Sequence, residues 1–133
     1  MTGNKDEAIL PNPRLAVAMV GTMATWWMGI PIGIILGLVG LIHRQWKEMF
    51  TVTLQAFALT IAVAFLTGLI GLGYGYYNFA NDPIYFTSAW YLPKNLLDVK
   101  NFVAVGSMHN FSYIGGVTGL LAAVYFSIRR RLQ

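Results

Sequence analysis

Histidine is the residue type in this sequence with the widest chemistry, and the chain holds two copies, His43 and His109. A neutral imidazole is the usual protein ligand for haem iron, zinc or chlorophyll-type pigments. His43 follows one apolar run, and His109 falls near the far boundary of another, which places the two rings about 30 Å apart across a bilayer. One copy of the chain is therefore not expected to clamp a single haem between them.

His109 shares a helix face with Ser112, Tyr113 and Gly116, which follow it by three, four and seven residues. Two interpretations stay open. His109, Ser112 and Tyr113 could contact a quinone, a haem or a chlorophyll-type pigment. Alternatively, they hydrogen-bond a neighbouring helix while glycines allow close approach, and this packing interpretation is favoured because such faces are common in membrane helices. His43, beside Arg44, is predicted to be a solvated histidine at the membrane interface.

Other catalytic chemistry finds little support in the sequence. The absence of cysteine excludes disulfides, thiolate catalysis and iron–sulfur ligation. The segment 71–75 lacks the lysine and hydroxyl partners of a phosphate-binding loop and is interpreted as a loosened helix end. No Asp, Glu, Lys or Arg lies within the long apolar runs, which argues against an independent pump or transporter. We therefore expect no catalytic residues, no metal site and no enzyme activity.

The composition indicates that most of the chain is surrounded by lipid. Of 133 residues, 56% are hydrophobic and 11% are charged, whereas soluble domains carry roughly a quarter charged residues. The predicted class is an all-α integral membrane protein with a single membrane domain, 1–133. The net charge of +4 comes largely from basic residues that flank the apolar runs, so it is interpreted as a topology signal and not as a nucleic-acid surface.

Three transmembrane helices are predicted, at about 15–42, 50–73 and 102–128. A polar arm, 1–14, precedes the first, and Pro31 is expected to kink it. A short polar turn, 43–48, joins the first two helices. The 23 residues 78–100 interrupt the apolar pattern but are rich in aromatic residues, so this loop is expected to lie against the membrane surface or a partner.

Arginine placement predicts the orientation of the chain. Arg129, Arg130 and Arg131 end the third apolar run, and Arg44 and Lys47 lie in the short turn. Because Lys and Arg concentrate on the cytoplasmic side, we expect the C-terminus to be cytoplasmic. The N-terminus and the 78–100 loop are then periplasmic.

Glycines four residues apart recur in all three apolar runs. Such small-residue ridges let membrane helices approach closely. The predicted packing interface consists of Gly29, Gly33, Gly37, Gly71, Gly75, Gly115, Gly116 and Gly119. Because ridges occur on every helix, some of them are expected to face another subunit.

Two short segments resemble elements of a group of small bacterial inner-membrane proteins with no assigned activity. They are Gly29-Ile-Pro-Ile-Gly33, a GxPxG element, and Met108-His-Asn-Phe-Ser-Tyr-Ile-Gly-Gly116, an HxxSYxxGG-like element. The resemblance covers about a quarter of the chain. It implies a bacterial cytoplasmic membrane and carries over no function or functional residues.

The functional expectation is an accessory or structural subunit of a larger bacterial membrane complex, respiratory, photosynthetic or oxidative, in contact with other integral membrane proteins and lipids. One alternative is a membrane anchor that uses His109 to bind a quinone, haem or pigment. Another is a small homo-oligomer or channel.

Overall fold

A computed structural model describes residues 13–92 and 96–132, with no side chains described at 13–18, 20 and 24. The described chain is helical and holds no strand, which confirms the predicted all-α class. Its four helices are α1 (Pro13–Gly40), α2 (Trp46–Asn81), α3 (Pro83–Ser88) and α4 (Val99–Arg131). The predicted arm, 1–14, lies outside the described residues except for its last two positions, which begin α1.

Three of these helices are long and apolar enough to cross a membrane: α1 from Gly21 to Gly40, and α2 and α4 over their full lengths. The helices α2 and α4 exceed the predicted spans because an apolar run shows only which part of a helix needs lipid, whereas α1 ends at Gly40, two residues before its predicted boundary. At 1.5 Å per residue, the 36 residues of α2 extend about 54 Å, whereas the hydrocarbon core is about 30 Å thick. The predicted span, 50–73, is thus one part of a helix that continues to Asn81.

The segment predicted as an aromatic loop, 78–100, is partly helical in the residues that the structure describes. Residues 78–81 belong to α2, the helix α3 begins at Pro83, and α4 begins at Val99, so the described non-helical residues of this segment are 82, 89–92 and 96–98. Two aspartates start the flanking helices. Asp82 accepts a hydrogen bond from the Tyr85 amide, and Asp98 accepts one from the Asn101 amide, each at 3.0 Å. Both are standard N-caps, which satisfy amides that have no partner inside the helix.

The chain divides into two units, Met1–Pro31 and Ile32–Gln133. The first unit holds the N-terminal part of α1. The second holds the remainder of α1, the turn that follows it, and the other three helices. The division falls at Pro31, the residue at which a kink was predicted, and α1 is helical on both sides of it.

Close packing of small residues joins α2 to α4 in an antiparallel pair. Gly75 meets Ala104, and Gly119 meets Thr60 at the other end of the contact. Where the end of α1 joins them, the buried core consists of Leu36, Ala56 and Ala123. Most large apolar side chains of these helices are exposed, as expected where lipid is the solvent and dispersion contacts between small residues hold the helices together.

Candidate functional site at the basic end of the helices

Charged residues converge where α1 turns into α2 and where α4 ends, and we call this region the basic end. It contains Arg44, Lys47, Glu48, Arg129, Arg130 and Arg131, five basic residues and one acidic, a net charge of +4 with histidine neutral. The helix ends favour this placement. The carbonyl-bearing end of α4 attracts cations, and the amide-bearing end of α2 attracts the carboxylate of Glu48.

His43 is buried at the centre of the basic end, so the prediction of a solvated histidine was wrong. Its exposed fraction is 6%. Nε2 shares a 3.2 Å hydrogen bond with the Ser127 hydroxyl of α4. The reason is the brevity of the turn: the His43 amide still donates to the Gly40 carbonyl, so the ring is held beside the end of α1 and reaches α4.

The other ring nitrogen of His43 is poorly partnered. Nδ1 lies 3.5 Å from Oε1 of Glu48, within ion-pair range, and has no hydrogen-bond partner among the described residues. Buried polar nitrogens are normally hydrogen-bonded, so each exception asks for an explanation. Here the exception sits in a cluster of cations, at the wall of a cleft.

Two clefts open at the basic end, each lined by charged side chains. The first, of about 320 Å³, is lined by Ile42, His43, Arg44, Glu48 and Arg131. The second, of about 440 Å³, is lined by Lys47, Glu48, Thr51, Val52, Gln55 and Arg130. The guanidinium groups that line them are suited to bidentate recognition of carboxylate or phosphate. The clefts can therefore hold an anion.

The three residues of the predicted cofactor site do not converge on one point. The His109 and Tyr113 rings pack edge to face with their centroids 4.4 Å apart. Ser112 instead donates to the Met108 carbonyl, at 2.9 Å, and its hydroxyl lies against Gly68 of α2. The serine therefore serves the helix contact, while the histidine and tyrosine form a pair of half-buried rings.

The two histidine rings lie far apart along α4. His43 is bound to Ser127, and His109 lies 18 residues earlier on the same helix as Ser127. At 1.5 Å per residue this is about 27 Å along the helix. The separation agrees with the distance expected from the sequence.

The predicted glycine interface splits into two groups. Gly71, Gly75, Gly115 and Gly119 lie in the contact between α2 and α4, where an added Cβ would approach the facing helix to 3.1 Å or less, and Gly116 is also buried. Around Gly29, Gly33 and Gly37 of α1, by contrast, no atom of the described residues lies within 4 Å of such a Cβ. The segment 71–75 is thus the interior of a packed helix, and its interpretation as a loosened end was wrong.

An aromatic cap covers the opposite end of the α2–α4 pair. The Trp90 ring rests on Gly106 of α4 and contacts Phe86 edge to face, with centroids 6.3 Å apart. Phe86 in turn contacts Tyr74 of α2. The cap ties α3 and the non-helical segment to both long helices.

Trp90→Ala should release this segment, because the indole fills the space above Gly106. Removing a half-buried tryptophan is expected to cost about 2 kcal/mol of local stability. Limited proteolysis in nanodiscs should then show faster cleavage within residues 89–98. Tyr91→Ala is the matched control, since Tyr91 is 93% exposed, and equal cleavage rates in the two variants would contradict the role given to Trp90.

The site at the basic end was not predicted from the sequence. The signal was a histidine five residues before a glutamate at a short turn, together with a serine two residues before three arginines, but nothing in the spacing linked the two segments. Among the described residues, no group of three potential metal ligands occurs. Comparisons with protein-family models, curated proteins and solved structures find no match to this chain.

Proposed function

We propose that the chain is a non-catalytic accessory or structural subunit of a larger complex in a bacterial cytoplasmic membrane, and that α1 packs against an integral membrane partner. The observation that carries this proposal is the contrast between the glycines of α1 and those of the other two long helices. Gly71 and Gly115 are buried in the α2–α4 contact, whereas Gly33 and Gly37 face open space.

Helix energetics give this contrast its meaning. A glycine inside a helix costs about 1 kcal/mol relative to alanine in aqueous hosts. In lipid, the compensating gain comes from close backbone approach and the dispersion contacts that follow. Gly71 and Gly75 of α2 and Gly115 and Gly119 of α4 obtain this gain within the chain. The glycines of α1 obtain it only when a further helix packs against them.

The exposed glycines Gly33 and Gly37 form a ridge on α1, and an apolar groove beside this ridge supports the same role. It is lined by Gly33, Leu36, Phe50, Thr53, Leu54 and Phe57 and measures about 180 Å³. A partner helix on the α1 ridge would be able to insert side chains here. In the proposed orientation, the arginine-bearing end faces the cytoplasm, and the aromatic cap lies on the outer face, where it contacts the extramembrane part of the partner.

The test is a pulldown from native membranes in mild detergent through a C-terminal tag, followed by mass spectrometry. Gly37→Leu should lose a stoichiometric integral membrane partner while the variant itself stays folded, because the leucine fills the ridge. Gly73→Leu is the matched control. Gly73 is also exposed, with no described atom within 4 Å of an added Cβ, but it lies on α2 outside the ridge, so this variant should retain the partner.

Three results would contradict the proposal. Recovery of the chain alone, or only as copies of itself, would favour the small homo-oligomer. An absorption band from haem or pigment that disappears in His109→Ala would favour the cofactor anchor. Equal partner recovery with Gly37→Leu and with Gly73→Leu would remove the ridge from the interface.

A further inference from the structure

The first cleft of the basic end brings two arginines and a buried histidine together. The membrane topology of a helix does not by itself require such a cluster. Topology requires only that Lys and Arg lie near the helix end. Here Arg44 from the turn and Arg131 from α4 line one cleft of about 320 Å³. The wall between them includes His43, which is more than nine-tenths buried and keeps one nitrogen without a hydrogen-bond partner.

The hydrogen bonding of His43 permits this nitrogen to donate. When the Ser127 hydroxyl donates to Nε2, the proton of the neutral ring resides on Nδ1. Nδ1–H then points toward the place that Glu48 occupies, at a distance of 3.5 Å. The side chain of Glu48 is 46% exposed, so it can rotate away, and its carboxylate marks where the oxygens of a bound anion would lie.

The cleft also lies just beyond the ends of the apolar runs, the level at which lipid phosphates are expected. Ile128 is the last apolar residue before the arginines of α4, and Phe50 begins the apolar run of α2. Trp46, which is 71% exposed, is suited to the interface between hydrocarbon and headgroups. Basic pockets between transmembrane helices at this level bind anionic lipid headgroups.

We propose that the cleft lined by His43, Arg44 and Arg131 binds the phosphate group of an anionic phospholipid. The two guanidinium groups and Nδ1–H of His43 donate to the phosphate oxygens, and the carboxylate of Glu48 leaves the position that it holds in the lipid-free chain. The bound lipid then links the turn after α1 to the end of α4. This site involves neither the ridge of α1 nor a protein partner.

The test uses the purified full-length chain in an uncharged detergent, titrated with short-chain phosphatidylglycerol while thermal unfolding is followed. Phosphatidylcholine serves as the zwitterionic comparison. The midpoint should rise with phosphatidylglycerol and stay constant with phosphatidylcholine. Arg131→Gln should weaken the apparent affinity about tenfold, as expected for the loss of one charge-assisted contact.

Arg129→Gln is the matched control, because it removes the same charge from the same helix end but Arg129 lines neither cleft. It should change the affinity less than twofold. Glu48→Gln tests the carboxylate that lies 3.5 Å from Nδ1 of His43. Removal of the competing carboxylate should tighten phosphatidylglycerol binding severalfold, whatever the stability of the lipid-free variant.

Three outcomes would overturn the proposal. Equal losses in Arg129→Gln and Arg131→Gln would mean that lipid senses only the overall charge of the basic end. Equal stabilisation by phosphatidylcholine would remove the requirement for an anion. Stabilisation by inorganic phosphate at concentrations as low as those of the lipid would assign the cleft to a free anion. Because no partner protein is present, a failure here leaves the accessory-subunit proposal untouched.

Discussion

Gly115→Leu should separate α2 from α4 and give the largest loss of stability among the variants considered. An added Cβ at this position would contact the Thr67 hydroxyl and lie 2.8 Å from the Cα of Ala64. Backbone atoms cannot yield as flexible side chains do, so the helices must move apart along the whole contact. Overpacking costs 1–3 kcal/mol in ordinary cores and more where relief is blocked. We expect a loss of about 3 kcal/mol or more.

The measurement is an unfolding titration with sodium dodecyl sulfate in mixed micelles, followed by tryptophan fluorescence. Gly73→Leu introduces the same side chain two turns before the end of α2 at an exposed position. It should leave the midpoint unchanged or raise it slightly, since leucine is a better helix former than glycine. Similar losses in the two variants would mean that the glycines of the α2–α4 contact are not needed for close approach.

His43→Ala should give the second largest effect. The variant removes the side chain that joins the turn after α1 to Ser127 of α4, and it leaves a polar cavity among basic residues. Loss of a buried hydrogen bond together with its packing is expected to cost about 1–3 kcal/mol. The same unfolding titration measures this loss.

A double-mutant cycle identifies the source of that cost. Ser127→Ala alone should cost less, because it removes only a hydroxyl group, whereas His43→Ala removes a whole buried imidazole ring. If the two side chains interact, combining His43→Ala with Ser127→Ala should reveal a coupling energy of about 1 kcal/mol. Additive losses would show that His43 contributes through volume alone. His109→Ala provides a comparison with the other, half-buried histidine.

The sequence predicted the apolar regions accurately but not the helix ends. Hydrophobic runs identify the parts of a helix that lie in lipid, and three such helices are present. Residues 74–81 carry tyrosines and asparagines and were assigned to a helix end and a loop. They continue α2 because Gly75 packs on Ala104 and the Tyr76 hydroxyl donates to Asn101 of α4, at 2.6 Å. Contacts between segments distant in sequence extend this helix.

The candidate sites show the same limit. The spacing of His109, Ser112 and Tyr113 predicted one shared face, but a helix face is broad enough for Ser112 to lie against α2 while the two rings pack together. For His43 the local sequence suggested solvent, because charged residues surround it. Its burial comes from Ser127, 84 residues away, and local patterns carry no information about such a contact.

The sequence by itself determined that this chain is helical and apolar enough to span a membrane three times, because composition and run length decide how a segment partitions between water and lipid. It also placed the glycines and the arginines along the helices. Only the tertiary structure decided which glycines are used within the chain and which face open space. It likewise made His43, Glu48 and Arg131 walls of one cleft, since antiparallel packing of α2 and α4 brings the turn after α1 to the end of the chain's last helix.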